Sequence, residues 1–152
     1  MRSFRLFKHK DATYRISPSE GSSFQQITEN IISIRGQLEN FIEKQQEFLS
    51  SLSPIILHAN APEPARRMSE ASHLTGTGPM AAVAGTIAQM AAENLPEIDE
   101  DIIIENGGDI FIRFSDLNKP VVAGIFSGLN SKFSSLALKI QPSQNGMAIC
   151  SS

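Results

Sequence analysis

Ile102-Ile103-Ile104-Glu105-Asn106-Gly107-Gly108-Asp109-Ile110-Phe111-Ile112-Arg113-Phe114 is the stretch that decides the fold class. Three consecutive β-branched residues predict a buried strand. Asn-Gly then supplies the positive φ that a tight hairpin turn needs, and residues 110–114 read as the returning strand. Downstream the same short period continues. Residues 121–126 and 135–140 predict two more strands, with loops at 115–119 and 127–132, and Met147-Ala148-Ile149 starts another.

Upstream the period changes to that of a helix. Phe24, Ile27, Ile31, Ile34, Leu38, Phe41 and Phe48 recur at steps of three, four or seven, which predicts one amphipathic helix ending at Ser53-Pro54. Ser22 or Ser23 can cap its start. Gln25, Glu29, Glu39, Glu43 and Lys44 form its wet face, so core packing explains it without a partner. Ile55-Ile56-Leu57 reads as a short buried strand. Pro62-Glu63-Pro64 launches a helix over 64–74, and Pro79 begins a third over 79–93 that Leu95-Pro96 stops. At the N-terminus, residues 3–8 and 12–17 alternate around His9-Lys10-Asp11 as a first strand pair. Helices followed by a run of strands predict a single α+β domain, an antiparallel sheet backed by helices.

Composition narrows the function classes. The chain has 152 residues, 41% hydrophobic and 19% charged, with a net charge of -3 and a pI near 5.6. It lacks the basic excess of a nucleic-acid-binding face. Arg2, Arg5, Lys8, Lys10 and Arg15 gather near the start and read as a solvated strand edge. A single cysteine, Cys150, allows no internal disulfide and fits a reducing, cytoplasmic compartment. The first residues hold no apolar core of a signal peptide. The most apolar run, residues 80–92, falls short of the ~20 residues needed to cross a bilayer. His9, His58 and His73 are scattered without metal-ligand spacing.

Two segments could carry chemistry. In the first, Gly76, Thr77, Gly78, Pro79 and Met80 precede a helix of small residues, Ala81-Ala82-Val83-Ala84-Gly85. Glycines before a helix let its free N–H groups approach a phosphate or pyrophosphate; an ordinary loop before a buried helix also accounts for the pattern. In the second, Asn106, Gly107, Gly108 and Asp109 form the hairpin turn. Two glycines would let a ligand lie on bare backbone, with Glu105 and Asp109 accepting hydrogen bonds; a plain turn is the competing reading. Cys150 beside Ser151 and Ser152 has no base that the sequence assigns to it.

The order and content of four segments carry a resemblance: Met68-Ser69-Glu70-Ala71-Ser72, the Gly76 to Gly85 run, Ile104-Glu105-Asn106-Gly107-Gly108-Asp109-Ile110, and Ile149-Cys150-Ser151-Ser152. Together they resemble an uncharacterised bacterial and archaeal family related to the ApbE flavin transferases. A weaker match extends over most of the chain, including Arg35, Leu38-Glu39 and Phe48. ApbE proteins bind FAD and use Mg²⁺ to transfer FMN to a threonine of a partner flavoprotein. The resemblance therefore implies an α+β fold with a flavin cleft. The family's Asn-x-Gly-Gly-Asp/Glu-Ile motif falls on Asn106, Gly107, Gly108, Asp109 and Ile110, with one residue fewer between Asn and the glycines. Its Ala-Lys-Gly falls on Gly76, Thr77 and Gly78, so Thr77 stands where the family has Lys, and Ala82 where it has Asp. The family continues past the Cys-Ser-Ser segment into the region that holds the metal.

Several expectations follow from these readings. Loop 76–80 and turn 106–109 should face one cleft and bind a flavin or nucleotide, FAD in the family's case. Mg²⁺ should be held only by a complete family member, and a transferase would be the ancestry. The alternative is a non-catalytic remnant or subunit needing a second chain. In that case the strand edge at 135–140, beside the strand begun at Met147, should lack cover and promote self-association.

Overall fold

In the computed structural model, which describes residues 2–18, 20–124 and 136–150, two strands open the chain. They are β1 (Arg5–His9) and β2 (Ala12–Ser17), antiparallel around a turn in which Lys10 takes a φ of +54°. Helix α1 (Gly21–Lys44) follows. Its N-cap is Glu20, with no side-chain cap hydrogen bond, so the helix begins before the serines predicted to cap it. Ile27, Ile31, Ile34, Leu38 and Phe41 form its buried stripe, as their spacing predicts.

The predicted continuation of α1 to residue 53 is corrected. Gln45 leaves helical geometry, and a separate turn of helix, α2 (Glu47–Ser50), carries Phe48. Phe48 still reaches the core, edge-on to Phe41 with centroids 5.3 Å apart. The side chain of Gln45 turns inward. Its Nε2 donates to the Ile56 carbonyl at 2.8 Å, and its Oε1 accepts from the His58 N–H at 3.0 Å. That explains a second correction: residues 55–57 are not a strand, because a side-chain amide satisfies backbone groups that a neighbouring strand would otherwise bind. Ile55 is buried while Ile56 is 90% exposed.

Helix α3 (Glu63–Thr75), a 3-10 turn (Pro79–Ala82) and helix α4 (Val83–Glu93) complete the helical layer. Ala88, Ala91 and Ala92 of α4 are fully buried. Small side chains let this helix lie close to both α1 and the sheet. Asn30 on α1 ties the two helices by donating to the Ala91 carbonyl at 3.1 Å.

The remaining strands are β3 (Ile102–Asn106), β4 (Asp109–Arg113), β5 (Val121–Gly124), β6 (Ala137–Ile140) and β7 (Met147–Ile149). Five of the strands form one antiparallel sheet in the order β1-β2-β3-β4-β7, so the fold is α+β with an antiparallel sheet backed by helices. Ile102, Ile104, Tyr14, Ile16 and Phe111 face the helices. Ile103 and Ile112, cross-strand partners, face away and pack with Phe114 on Val121 and Ile140 of a small β5-β6 sheet. The run Ile102-Ile103-Ile104 is thus apolar throughout because β3 is covered on both faces.

One neighbour relation differs from expectation. Strand β7 pairs with β4, Ile149 opposite Ile110, whereas β6 pairs with β5. The predicted edge at 135–140 is therefore not the neighbour of the strand begun at Met147. Residues 125 and 126 of one predicted strand, the loop at 127–132, residue 135, and Ser151 and Ser152 lie outside the described residues.

Candidate functional site

The β3-β4 turn is built on its two glycines. Asn106 and Asp109 are cross-strand partners, and Gly107 and Gly108 take φ of +61° and +99°. Two consecutive positive φ values are the geometry of a tight two-residue hairpin. Asn106 is buried, and its Nδ2 donates to the Ala84 carbonyl in the first turn of α4 at 3.3 Å. On the other side of the turn, Asp109 reaches the same helix. A Cβ on Gly85 would sit 3.6 Å from Asp109 Oδ2. A carboxylate beside the first turn of a helix is electrostatically favoured. Cys150 follows β7 and lies against Asp109. Burial, then the Asp109 charge and hydrogen bond, push its thiol pKa up. Three segments distant in sequence, the small-residue helix, the hairpin turn and the Cys150 segment, thus meet at one aspartate.

Beside this junction lies a cavity of about 210 Å³. Met80, Val83, Ala84 and Ile87 form one wall, Leu38 and Ile42 of α1 another, and Asn106 closes the sheet side. Arg35 and Asp11 stand at the polar edge. Arg35 donates to Asp11 at 2.6 Å and lies 3.9 Å from Glu39, which also pairs with Lys10. These pairs clamp the β1-β2 turn onto the middle of α1. The Arg35 guanidinium holds the Asp11 carboxyl below the usual carboxylate range, helped by the backbone of Asp11 itself. Behind Arg35 sits the Tyr14 phenol, fully buried and, among the described residues, without a hydrogen-bond partner of regular geometry. Burial pushes Tyr14 up, and the nearby Arg35 opposes that rise.

Of the residues predicted from sequence, the cavity brings Met80 and Asn106 together, with Asp109 on the far side of the same hairpin turn. It does not include Gly76, Thr77, Gly78 or Pro79. Gly76 ends α3 in the left-handed conformation, φ +72°, its N–H donating to the Ser72 carbonyl at 2.8 Å. Exposed Thr77 bonds Thr75 through their hydroxyls at 2.8 Å. Gly78 is buried, and a Cβ there would collide with the Ser51 carbonyl. Pro79 is buried at the start of the 3-10 turn. Each of these glycines has a structural reason: helix termination uses the left-handed conformation of Gly76, the close approach of residue 51 leaves no room for a side chain at Gly78, and the hairpin turn places Gly107 and Gly108 at positive φ.

Sequence reading missed Asp11 and Tyr14 as site residues, gave Gly85 only as the end of the first candidate segment, and gave Arg35 only as a point of resemblance. Arg35 carried a signal. It falls four residues after Ile31 and three before Leu38, so a charge sits on the flank of a buried stripe. A larger cleft of about 710 Å³ between α3, α4 and β4 holds none of the predicted residues. Three of its charged groups serve the fold: Arg67 pairs with Glu93 at 2.5 Å, and Arg113 donates to the Ala92 and Leu95 carbonyls at the C-terminal end of α4. Among the described residues no three His, Cys, Asp or Glu side chains converge as metal ligands, and no helix is long and apolar enough to cross a membrane.

Residues 8–152 match the model of a protein family described as AbpE bacteria. A UPF0280 protein of Methanococcus maripaludis strain C7 is 39% identical over 137 residues, 88% of this chain and 54% of the relative. UPF0280 proteins of Methanothrix thermoacetophila and Methanocaldococcus jannaschii are 45% and 36% identical, covering 80% and 94% of this chain and 51% and 57% of their own length. The chain spans about half the length of the curated relatives it matches.

Proposed function

The chain belongs to the AbpE bacteria family, and from that premise we propose that it supplies one wall of a flavin- or nucleotide-binding site of ApbE type. The observation that carries this reading is the cavity joining Met80, Asn106 and Arg35 beside the first turn of α4. Its walls are apolar and its edge polar, the arrangement that buries a ring and orients it by a few polar groups. At about 210 Å³ it is smaller than the ~300–1,000 Å³ of sites that bury a whole ligand. It fits one ring system of FAD and not the entire dinucleotide, whose remainder would run over the open side along turn 106–109. FAD would supply its ring as the bound group. The chain's own residues would pack that ring on Met80 and Ile87, hold its edge by Arg35 and Asn106, and exclude water from its face.

Transfer chemistry is not part of the proposal. Thr77 is neutral and lies outside the cavity. At the hairpin turn Asp109 has the Cys150 thiol as its neighbour. Mg²⁺ takes near-octahedral oxygen coordination, a donor set that this pair does not fit. The test is FAD titration of the purified chain followed by flavin fluorescence. Saturable quenching should appear, and Arg35→Met and Asn106→Ala should each weaken it at least about tenfold, the effect of losing ~1.4 kcal/mol. Absence of saturable quenching at millimolar FAD would end the reading.

A further inference from the structure

The last turns of α1 and the loop that leads into α3 enclose a pocket of about 410 Å³. Asn40, Phe41 and Lys44 come from α1, and His58, Asn60 and Pro62 from the loop. The loop is held in place at two points. The His58 N–H donates to buried Gln45 at 3.0 Å, and the Ala61 carbonyl accepts from Arg66 at 2.5 Å. Between them the Ala61 N–H donates to the His58 carbonyl at 3.1 Å and closes a turn. Buried Phe41 and half-buried Pro62 supply the apolar surface. The polar groups are of one kind. Lys44, the His58 ring and the Asn40 and Asn60 amides all carry N–H donors. All four side chains are exposed, and among the described residues no ion pair or hydrogen bond engages them. No carboxylate among the described residues lines the pocket. By contrast Asp11 and Glu39 line the cavity at Met80, and Glu70 and Glu93 the cleft between α3 and α4. Glu63, next to Pro62, is paired with Arg66 and Arg67 at 2.7 and 2.9 Å. Lys44 lies in the last turn of α1, where the helix dipole alone favours a cation. That does not account for an imidazole and two amides meeting it around one concavity. A chain of net charge -3 thus presents here a pocket with a cation and no anion.

We infer that this pocket binds a phosphorylated small molecule, its phosphate on Lys44, His58 and the amides of Asn40 and Asn60, its organic part against Phe41 and Pro62. A phosphate monoester offers three terminal oxygens, each a strong acceptor, and so uses a set of donors that the two oxygens of a carboxylate would leave partly idle. Lysine meets phosphate as a point charge and needs no fork geometry. Volume decides that the ligand is more than free phosphate. The pocket lies within the ~300–1,000 Å³ of sites that bury a small organic molecule. Asn40 and Lys44 stand on one flank of the buried stripe of α1, and Arg35 and Glu39 on the other. This site is therefore separate from the cavity at Met80 and Asn106 and does not depend on the flavin reading.

The experiment titrates the isotopically labelled 152-residue chain with ribose 5-phosphate, phenyl phosphate, inorganic phosphate, ribose and acetate. The His58 ring and Asn60 amide resonances are followed, and His58→Gln assigns that ring among the three histidines. At least one of the two esters should saturate the shifts and bind at least about tenfold tighter than inorganic phosphate. Ribose and acetate should not saturate them. Lys44→Gln should weaken the ester at least about tenfold, the scale of losing one hydrogen bond to a charged group, with an unchanged melting temperature. Asn60→Ala should weaken it as well, while Lys8→Gln, a cation outside the pocket, should not. Shifts that grow without saturating, as under a general salt effect, overturn the inference. So does ester binding that survives Lys44→Gln, or acetate binding as tight as that of the esters. Inorganic phosphate binding as tightly as either ester would mean a free-anion site and refute the small-molecule ligand.

Discussion

Gly78 shows how a residue can look functional for a structural reason. A glycine before a helix invites an anion, yet here the space a side chain would take belongs to the Ser51 carbonyl and the Leu52 backbone. Backbone cannot swing aside as a flexible side chain can. Gly78→Ala should therefore destabilise the fold by ~1–3 kcal/mol, the usual cost of overpacking, read as a lower urea midpoint with unchanged slope. A variant as stable as the parent would mean that the close approach is wrong. Asp101 gives the residue scale its pH dependence. Burial raises its pKa, but Arg2 and the Ser115 N–H and hydroxyl, at 2.9 and 3.1 Å, outweigh burial and hold the carboxyl below its usual range. A group with a depressed folded pKa stabilises above its unfolded value and loses that contribution as pH falls through the folded one. Stability should thus be full above about pH 5 and decline below ~4. In Asp101→Asn that decline should be shallower, and stability at neutral pH lower by ~1.5–3 kcal/mol, the worth of hydrogen bonds to a charged group. Equal acid profiles for the two proteins would remove Asp101 from the account.

At the scale of elements, local rules read the chain well where one face decides the outcome. The stripe from Ile27 to Phe41 fixed α1, and Asn-Gly-Gly fixed the hairpin. Those rules failed at the end of α1 because Phe48 falls seven residues after Phe41 and prolongs the stripe. The break depends instead on Gln45 meeting Ile56 and His58, a contact that no periodicity records. The same contact hid the true state of residues 55–57, whose branched side chains imitate a strand. Gln45→Leu keeps the bulk but strips two hydrogen bonds from backbone groups next to the core. It should cost ~1–3 kcal/mol and speed amide exchange at His58. Gln45→Glu keeps the acceptor for His58 and loses the donor to Ile56, so it should fall between parent and Gln45→Leu. Equal protection of the His58 amide in all three proteins would show that the segment is held by packing alone.

Strand neighbours are settled by the whole molecule, and that is why β7 was misjudged. Its three residues are adjacent in sequence to β6, yet they dock on β4, where Ile149 completes the outer apolar layer beside Ile110. The site was legible for the same reason in part only. Asn106 and Asp109 announce themselves through the turn, but their companions Arg35, Tyr14 and Gly85 come from elements whose packing the sequence does not state. The β4-β7 register has a chemical consequence that tests it. With Ile149 opposite Ile110, the next residue, Cys150, is carried to Asp109. Burial first and the carboxylate second keep the thiol protonated above its ordinary pKa. Thiolate is the species that alkylates, so Asp109→Asn should raise the iodoacetamide rate at pH 8. For an exposed group such a charge effect is ~1 kcal/mol or less, a rate factor of up to about fivefold. The burial contribution should persist, leaving the variant slower than a free cysteine. Raising salt to ~1 M, where the screening length falls to about 3 Å, should bring parent and variant together. Cys150 is the single cysteine of the chain, so the modified residue is unambiguous. Identical rates at low salt would separate Cys150 from Asp109, and with it β7 from its register on β4.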